Sequence, residues 1–243
     1  MIAGRSDVIV SAAQQVRDRG WALWPLTAEE IAERGRALHC AAALFQTSHG
    51  TWDHEDSTGW TSRGEHLEQW QVRHDSAPPG LDPSSRDLLP VLHEQLARSA
   101  HIAYQVAEEI GRPLPSWTPD DFVAGSRLRA ANYSALHGGF TAHIDLGVFT
   151  VIIGADRGGL RVRECDGSWV EPDLRAGMVL IPGALAARVT AGVVSAAQHE
   201  VVRGDTNRTA LLVFAHPGAE APVDEETGVT VGEFMRELSG HRH

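Results

Sequence analysis

The sequence predicts an α+β fold, with helices gathered in the N-terminal half and a β-sandwich or barrel behind them. Three observations carry this reading. Much of the first 115 residues has helical spacing, the character of the chain changes after Gly111-Arg112-Pro113, and short strand-like runs then alternate with Gly and Pro from about Asp121 to Pro217. The chain reads as a single domain over residues 1–243, with 1–115 mainly helical support, 116–220 the strand-rich core and 221–243 a C-terminal helix and tail.

The elements follow in order. Helical spacing runs from about Val8 to Asp18 and stops at Arg19-Gly20. Trp21-Ala22-Leu23-Trp24 reads as a strand closed by Pro25. Thr27, with Glu30 three residues on, forms a capping-box signature that opens a helix through about Phe45. From Ser48 to Ser76 no period is visible among His, Trp, Gly and charged residues. A Leu- and Ala-rich helix runs from about Ser84 to Ile110, with Pro90 marking either a kink or a later start. Strands are expected at Ser126–Tyr133, Val148–Ile153, Leu160–Arg163, Met178–Ile181, Ala196–Val202 and Thr209–Ala215, and a short helix near Val231–Leu238.

Composition excludes several functions. The formal net charge of -11 argues against general nucleic-acid binding, which rewards basic surfaces. No apolar run approaches the roughly 18 residues of a membrane helix, and MIAGRSDVIV lacks the apolar stretch of a secretory signal, so a cytoplasmic protein is expected. Cys40 and Cys165 are too few for a disulfide framework or an iron–sulfur cluster; Cys40 reads as buried and Cys165 as an exposed turn residue. All 21 basic residues are arginine, which removes Schiff-base chemistry and the lysine-dependent phosphate loop. Recognition of a carboxylate must then use arginine, histidine or backbone amides.

His143-Ile144-Asp145 places an imidazole and a carboxylate two residues apart, on one face if the segment is a strand. Alone, the pair fits a surface turn or a core hydrogen bond equally well. His199, in another expected strand, supplies a second imidazole. Two histidines and one carboxylate make the facial set that suits iron(II) and leaves coordination positions open. Arg208, nine residues after His199, heads the strand ending at Pro217. Inside a barrel its guanidinium fork suits bidentate capture of a carboxylate; in a turn it would simply be solvated.

The block Arg127–Pro217 resembles the 2-oxoglutarate-dependent iron(II) oxygenases of the isopenicillin N synthase-like superfamily. The resemblance rests on Asn132-Tyr133 before His143-X-Asp145, then Gly158-Gly159-Leu160-Arg161-Val162 and Asp166-Gly167-Ser168-Trp169. Pro172, Gly177 and Pro182-Gly183 follow, then His199, Arg208, Phe214 and Pro217. Arg19-Gly20-Trp21 and Gly59-Trp60…Glu65…Glu68-Gln69-Trp70 resemble the family's N-terminal half. One departure stands out: where the family has Arg-X-Ser, this chain has Arg208-Thr209-Ala210. Strand alternation puts Ala210 on the Arg208 face and Thr209 on the other, and the lost hydroxyl corresponds to about 0.5–1.5 kcal/mol.

The resemblance implies a double-stranded β-helix (jelly-roll, cupin-like) core with flanking N-terminal helices. It implies Fe(II) held by His143, Asp145 and His199, with 2-oxoglutarate and O2 as co-substrates. Arg208 would bind the far carboxylate of 2-oxoglutarate, with Tyr133 or Asn132 replacing the missing donor. Asp145 argues against halogenation, since related halogenases carry a small residue there. A small-molecule substrate is expected, with Arg63, Glu65 and Trp70 as candidate contacts, and neither nucleic acid nor membrane as partner. His49, His54, His66 and His74 either line the entrance or belong to a solvated loop; His137 is a loop residue and His216 structural. The expected activity is hydroxylation, desaturation or cyclisation in specialised metabolism. The alternatives are an iron oxidase of the same fold without 2-oxoglutarate, which Ala210 favours, and a non-oxidative metal-binding isomerase or ligand-binding module.

Overall fold

The computed structural model describes residues 4–47, 51–54, 57–111, 114–135 and 138–240; His49, His137 and Arg112-Pro113 therefore lie outside the described residues. Helix α1 (Arg5–Arg19) ends at Gly20, whose φ of 88° lets the chain reverse at little cost. Strand β1 (Ala22–Pro25) follows, then α2 (Ala28–Thr47). The capping box forms as expected: Thr27 N–H donates to Glu30 Oε2 at 2.7 Å, and Glu30 N–H to Thr27 Oγ1 at 3.3 Å.

The stretch from Ser48 to Ser76 is where the sequence reading needs correction. It forms β2 (Trp52–Asp53), β3 (Thr58–Arg63) and β4 (Leu67–Val72), all added to the main sheet. The reason lies in β4, which is buried on both faces. Trp70 and Val72 pack in the helix-side core, while Gln69 and Gln71 are buried on the opposite face. Large polar side chains on an interior face erase the hydrophobic alternation on which a strand is recognised.

Helix α3 (Pro83–Arg86) is a single turn, and α4 (Leu89–Glu109) starts with Pro90 in its first turn. Proline is at home there because its missing N–H is one of the helix's unpaired donors. Pro90 thus marks a start and not a kink. After α5 (Pro119–Gly125), capped by Thr118 and Asp121, come β5 (Arg127–Tyr133), β6 (Phe140–His143) and β7 (Phe149–Ala155). Then follow β8 (Leu160–Arg163), β9 (Trp169–Val170), β10 (Gly177–Pro182) and α6 (Ala184–Val189). Strands β11 (His199–Val201) and β12 (Arg208–Ala215), the hairpin of β13 (Pro222–Asp224) with β14 (Val229–Thr230), and α7 (Val231–Gly240) complete the described chain. The expected strands are present; β6, β13, the two-residue strands, α5 and α6 are not among the expected elements.

The main sheet has the order β1-β10-β7-β12-β5-β4-β3-β2, and the smaller one β6-β11-β8-β9, with antiparallel neighbours throughout. Two such sheets face to face are the jelly-roll arrangement. Alternation along β12 shows how the layers divide. Leu211, Val213 and Ala215 enter the core shared with the helices, whereas Arg208, Ala210, Leu212 and Phe214 face the space between the sheets. That space holds an apolar plug of Trp21, Ile152, Val162, Val179 and Ile181. Beyond the plug it opens into a cavity.

Candidate metal centre and its arginines

His143 is the last residue of β6 and His199 the first of β11, and the two are directly paired across the ladder. Cross-strand pairing brings side chains on one face together; here the ring centroids lie 4.3 Å apart. Asp145 stands two residues beyond the end of β6, in the connection to β7, so it reaches the same point from a loop and not from the strand itself. One metal-binding atom from each of the three residues can be chosen so that all lie within 4.8 Å of one another. Asp145 Oδ1 is 3.5 Å from His143 Nε2, and Oδ2 is 3.2 Å from His199 Nε2.

Local contacts aim these groups. His143 Nδ1 lies 2.9 Å from the Thr141 carbonyl, which as an N–H donor contact leaves the Nε2 lone pair facing the cluster. Thr150 on β7 donates from Oγ1 to Asp145 Oδ2. His199 Nδ1 is buried without a hydrogen-bond partner among the described residues, so packing alone orients that side of the ring. Burial opposes ionisation of Asp145, but its contacts with His143, His199 and Thr150 outweigh it and hold the carboxyl well below the usual range. An ionised carboxylate beside two imidazole lone pairs is a donor set that fits a divalent first-row cation such as Fe(II).

Backbone contacts fix the loop that carries Asp145. Ala184 N–H donates to the Asp145 carbonyl at 2.8 Å, and Leu185 N–H to that of Leu146 at 3.0 Å. Gly183 is needed for this approach, since a Cβ there would lie 2.3 Å from Gly147 O and 2.7 Å from Asp145 O.

Arg208, 6% exposed, lines the cavity of about 50 Å³ that also touches the triad. Its Nε donates to the Gly158 and Arg157 carbonyls at 2.9 and 3.3 Å, and its guanidinium carbon lies 5.3 Å from the Tyr133 ring centre. Among the described residues no carboxylate forms an ion pair with it. Ala210 shares this face, as alternation requires, and Thr209 does not. Tyr133 lines the same cavity directly opposite Arg208 in the β5–β12 register.

The remaining sequence candidates divide. Asn132 is on the other face of β5, away from the cavity that Arg208 lines, and donates from Nδ2 to Glu68 Oε2 at 3.2 Å. Trp70 is 0% exposed in the helix-side core and lines neither cavity at the triad: its position on β4 points it outward. Glu65 is exposed in the β3–β4 turn and lines neither cavity. Arg63 does reach the outer cavity, its guanidinium 5.1 Å from the Phe140 ring centre. His54, His66 and His74 are exposed and away from both cavities; His216 is at the outer one, with Nδ1 2.8 Å from the Pro217 carbonyl. Thr150 and Arg129 were missed. Counting back by twos from Tyr133 along β5 would have placed Arg129 on the interior face.

A jelly roll with two imidazoles, a carboxylate and an inward arginine defines a non-haem metal enzyme of the oxygenase class. The family model of the 2OG-Fe(II) oxygenase superfamily matches residues 122–217. No curated protein sequence matches the chain. Solved structures share the fold at low identity. A protein of Shewanella oneidensis has a TM-score of 0.79 at 18% identity, covering 97% of this chain and 95% of its own. A full-length protein of Neurospora crassa, solved in complex with alpha-KG (2-oxoglutarate), has 0.77 at 15%, covering 100% and 93%. The rice dioxygenase for auxin oxidation has 0.71 at 16%, covering 98% and 92%. The matched family is one of Fe(II) and 2-oxoglutarate enzymes, and His143, Asp145 and His199 form a candidate iron site. Among the described residues no helix is long and apolar enough to cross a membrane.

Proposed function

We propose that the chain oxidises a small molecule at the cavity mouth, with His143, Asp145 and His199 holding Fe(II) and Arg208 holding the far carboxylate of 2-oxoglutarate. The observation that carries this reading is the pairing of the triad, in one cavity, with a buried guanidinium that forms no ion pair among the described residues. Fe(II) and 2-oxoglutarate, when bound, supply the oxidising power for attack on a substrate C–H bond. The protein's part is geometric and electrostatic. Thr150 and the Thr141 carbonyl orient Asp145 and His143. The Gly158 and Arg157 carbonyls hold Arg208, and the Tyr133 hydroxyl, with no hydrogen-bond partner in the protein among the described residues, is the donor that takes the place of the serine lost at Ala210. The apolar plug keeps water from the back of the site.

The relatives support a small substrate, since the same N. crassa protein has been solved with thymine and with 5-formyluracil. Hydroxylation, desaturation and cyclisation all begin from a C–H bond held at this mouth, and a role in specialised metabolism goes with the same reading. A reducing cytoplasmic setting agrees with two unpaired thiols, buried Cys40 and exposed Cys165. The test is anaerobic addition of Fe(II) and then 2-oxoglutarate. A weak visible charge-transfer band is expected with the wild type and is lost in Arg208→Ala. Absence of the band in iron-loaded wild type would overturn the proposal.

A further inference from the structure

We propose that Arg129, clamped by Gln71 and flanked by Arg63, recognises a carboxylate on the substrate; this rests on the oxygenase reading above and adds a substrate class to it. Arg129 is on the interior face of β5, facing Leu212 of β12 in register, while Tyr133 faces Arg208. Four residues of strand separate the two levels by about 13 Å. One end of the cavity is thus provided for by Arg208, and a second guanidinium stands where 2-oxoglutarate does not need it.

The side chain is held ready. Its Nε and Nη2 both donate to Gln71 Oε1, at 3.1 and 2.8 Å, and Gln71 Nε2 donates in turn to the Ser57 carbonyl at 2.6 Å. Phe214 packs against it, with 4.4 Å from guanidinium carbon to ring centre. These contacts occupy one edge of the fork and leave Nη1 without a hydrogen-bond partner in the protein among the described residues. A fork fixed in this way binds a planar carboxylate with little further ordering cost.

Charge points the same way. Arg129 and Arg63 form no ion pair among the described residues, and the acid that most influences Arg129 is Asp145, already engaged in the triad. Burial lowers the guanidinium to about 10, with Asp145 and Tyr133 opposing, so it remains a cation at neutral pH. The outer cavity, about 500 Å³ and within the usual range for small ligands, is lined among the described residues by Arg63, Arg127 and Arg129 against one acid, Asp145. Arg127 is tied to the Gly125 and Ser126 carbonyls. In a chain of net charge -11 this cluster reverses the local sign. Phe140, Phe214 and Met235 supply apolar wall to the same cavity, and Phe140 touches both Arg63 and His143. The fit is a small molecule with an acid at one end and an apolar or aromatic body at the other.

The test uses protein loaded with Zn(II) and saturating 2-oxoglutarate, so that Arg208 is occupied and no turnover occurs. Benzoate, phenylacetate and 3-phenylpropanoate are compared with their primary amides by ligand-observed NMR, with phenyl phosphate as a further arm. At least one acid is expected to bind about tenfold more tightly than its amide, a preference that disappears in Arg129→Gln while 2-oxoglutarate affinity is retained. Arg63→Gln, at the exposed rim, is expected to weaken the same preference, and it serves if Arg129→Gln does not fold. Amides binding as well as acids, no acid binding, or the preference surviving in the folded variants would overturn the inference. Phenyl phosphate binding more tightly than every carboxylate would overturn the carboxylate assignment. Failure of wild type to bind 2-oxoglutarate would instead sink the oxygenase reading.

Discussion

Gly183 shows how much one missing methyl group can matter to a metal centre. A Cβ at that position would press on the carbonyls of Gly147 and Asp145, displacing the loop that carries the carboxylate. Gly183→Ala is expected to cost about 1–3 kcal/mol by overpacking and to weaken Fe(II) retention; denaturant unfolding and a metal titration check the two effects. His216 makes a different residue-level prediction. Burial pushes its imidazole down to about 4, with the Pro217 carbonyl opposing and Arg127 reinforcing the shift. The unfolded chain binds a proton there below about 6.5 that the folded chain refuses until about 4. Its contribution to stability is therefore full above pH 6.5 and is lost as pH falls through that window. His216→Asn should flatten this part of the stability–pH curve; an unchanged curve would remove His216 as its source.

At the scale of elements, β4 separates what the sequence displays from what it conceals. Strands β5, β7 and β12 were legible because their helix-side faces are largely apolar, with Leu128 and Ala130, Phe149, Val151 and Ile153, and Leu211, Val213 and Ala215. β4 turns Gln69 and Gln71 inward and Trp70 outward, so a search for apolar alternation passes over it. The same inversion explains why Trp70 looked like a substrate contact: an aromatic in an apparently irregular segment suggests an exposed binding loop. In the core, Trp70→Ala is expected to cost about 3–5 kcal/mol. Trp70→Phe should lower Tm while leaving KM for substrate unchanged. A raised KM with unchanged Tm would restore Trp70 to the site. The candidate triad came from residue types taken together with the family resemblance, and the structure brings His143, Asp145 and His199 within reach of one point.

For the molecule as a whole, the N-terminal half does more than support a C-terminal core. Strands β1 to β4 occupy both ends of the main sheet, and Gln71 and Arg63 from that half meet Arg129 and Phe140 from the other. The block Arg127–Pro217 that carries the resemblance holds the candidate triad and Arg208, whereas Gln71 and Arg63 lie before it in the chain. Metal binding should stabilise the folded state by mass action, by about 2.7 kcal/mol at a hundredfold excess over Kd, and chelation should reverse the gain. The most direct measurement is the iron content of anaerobically loaded and desalted protein, in wild type and in His143→Ala, Asp145→Ala and His199→Ala. The structure leads us to expect one Fe(II) per chain in the wild type and none retained in the three variants, each still folded. Full retention of iron by any one of them would contradict the assignment of that side chain as a ligand.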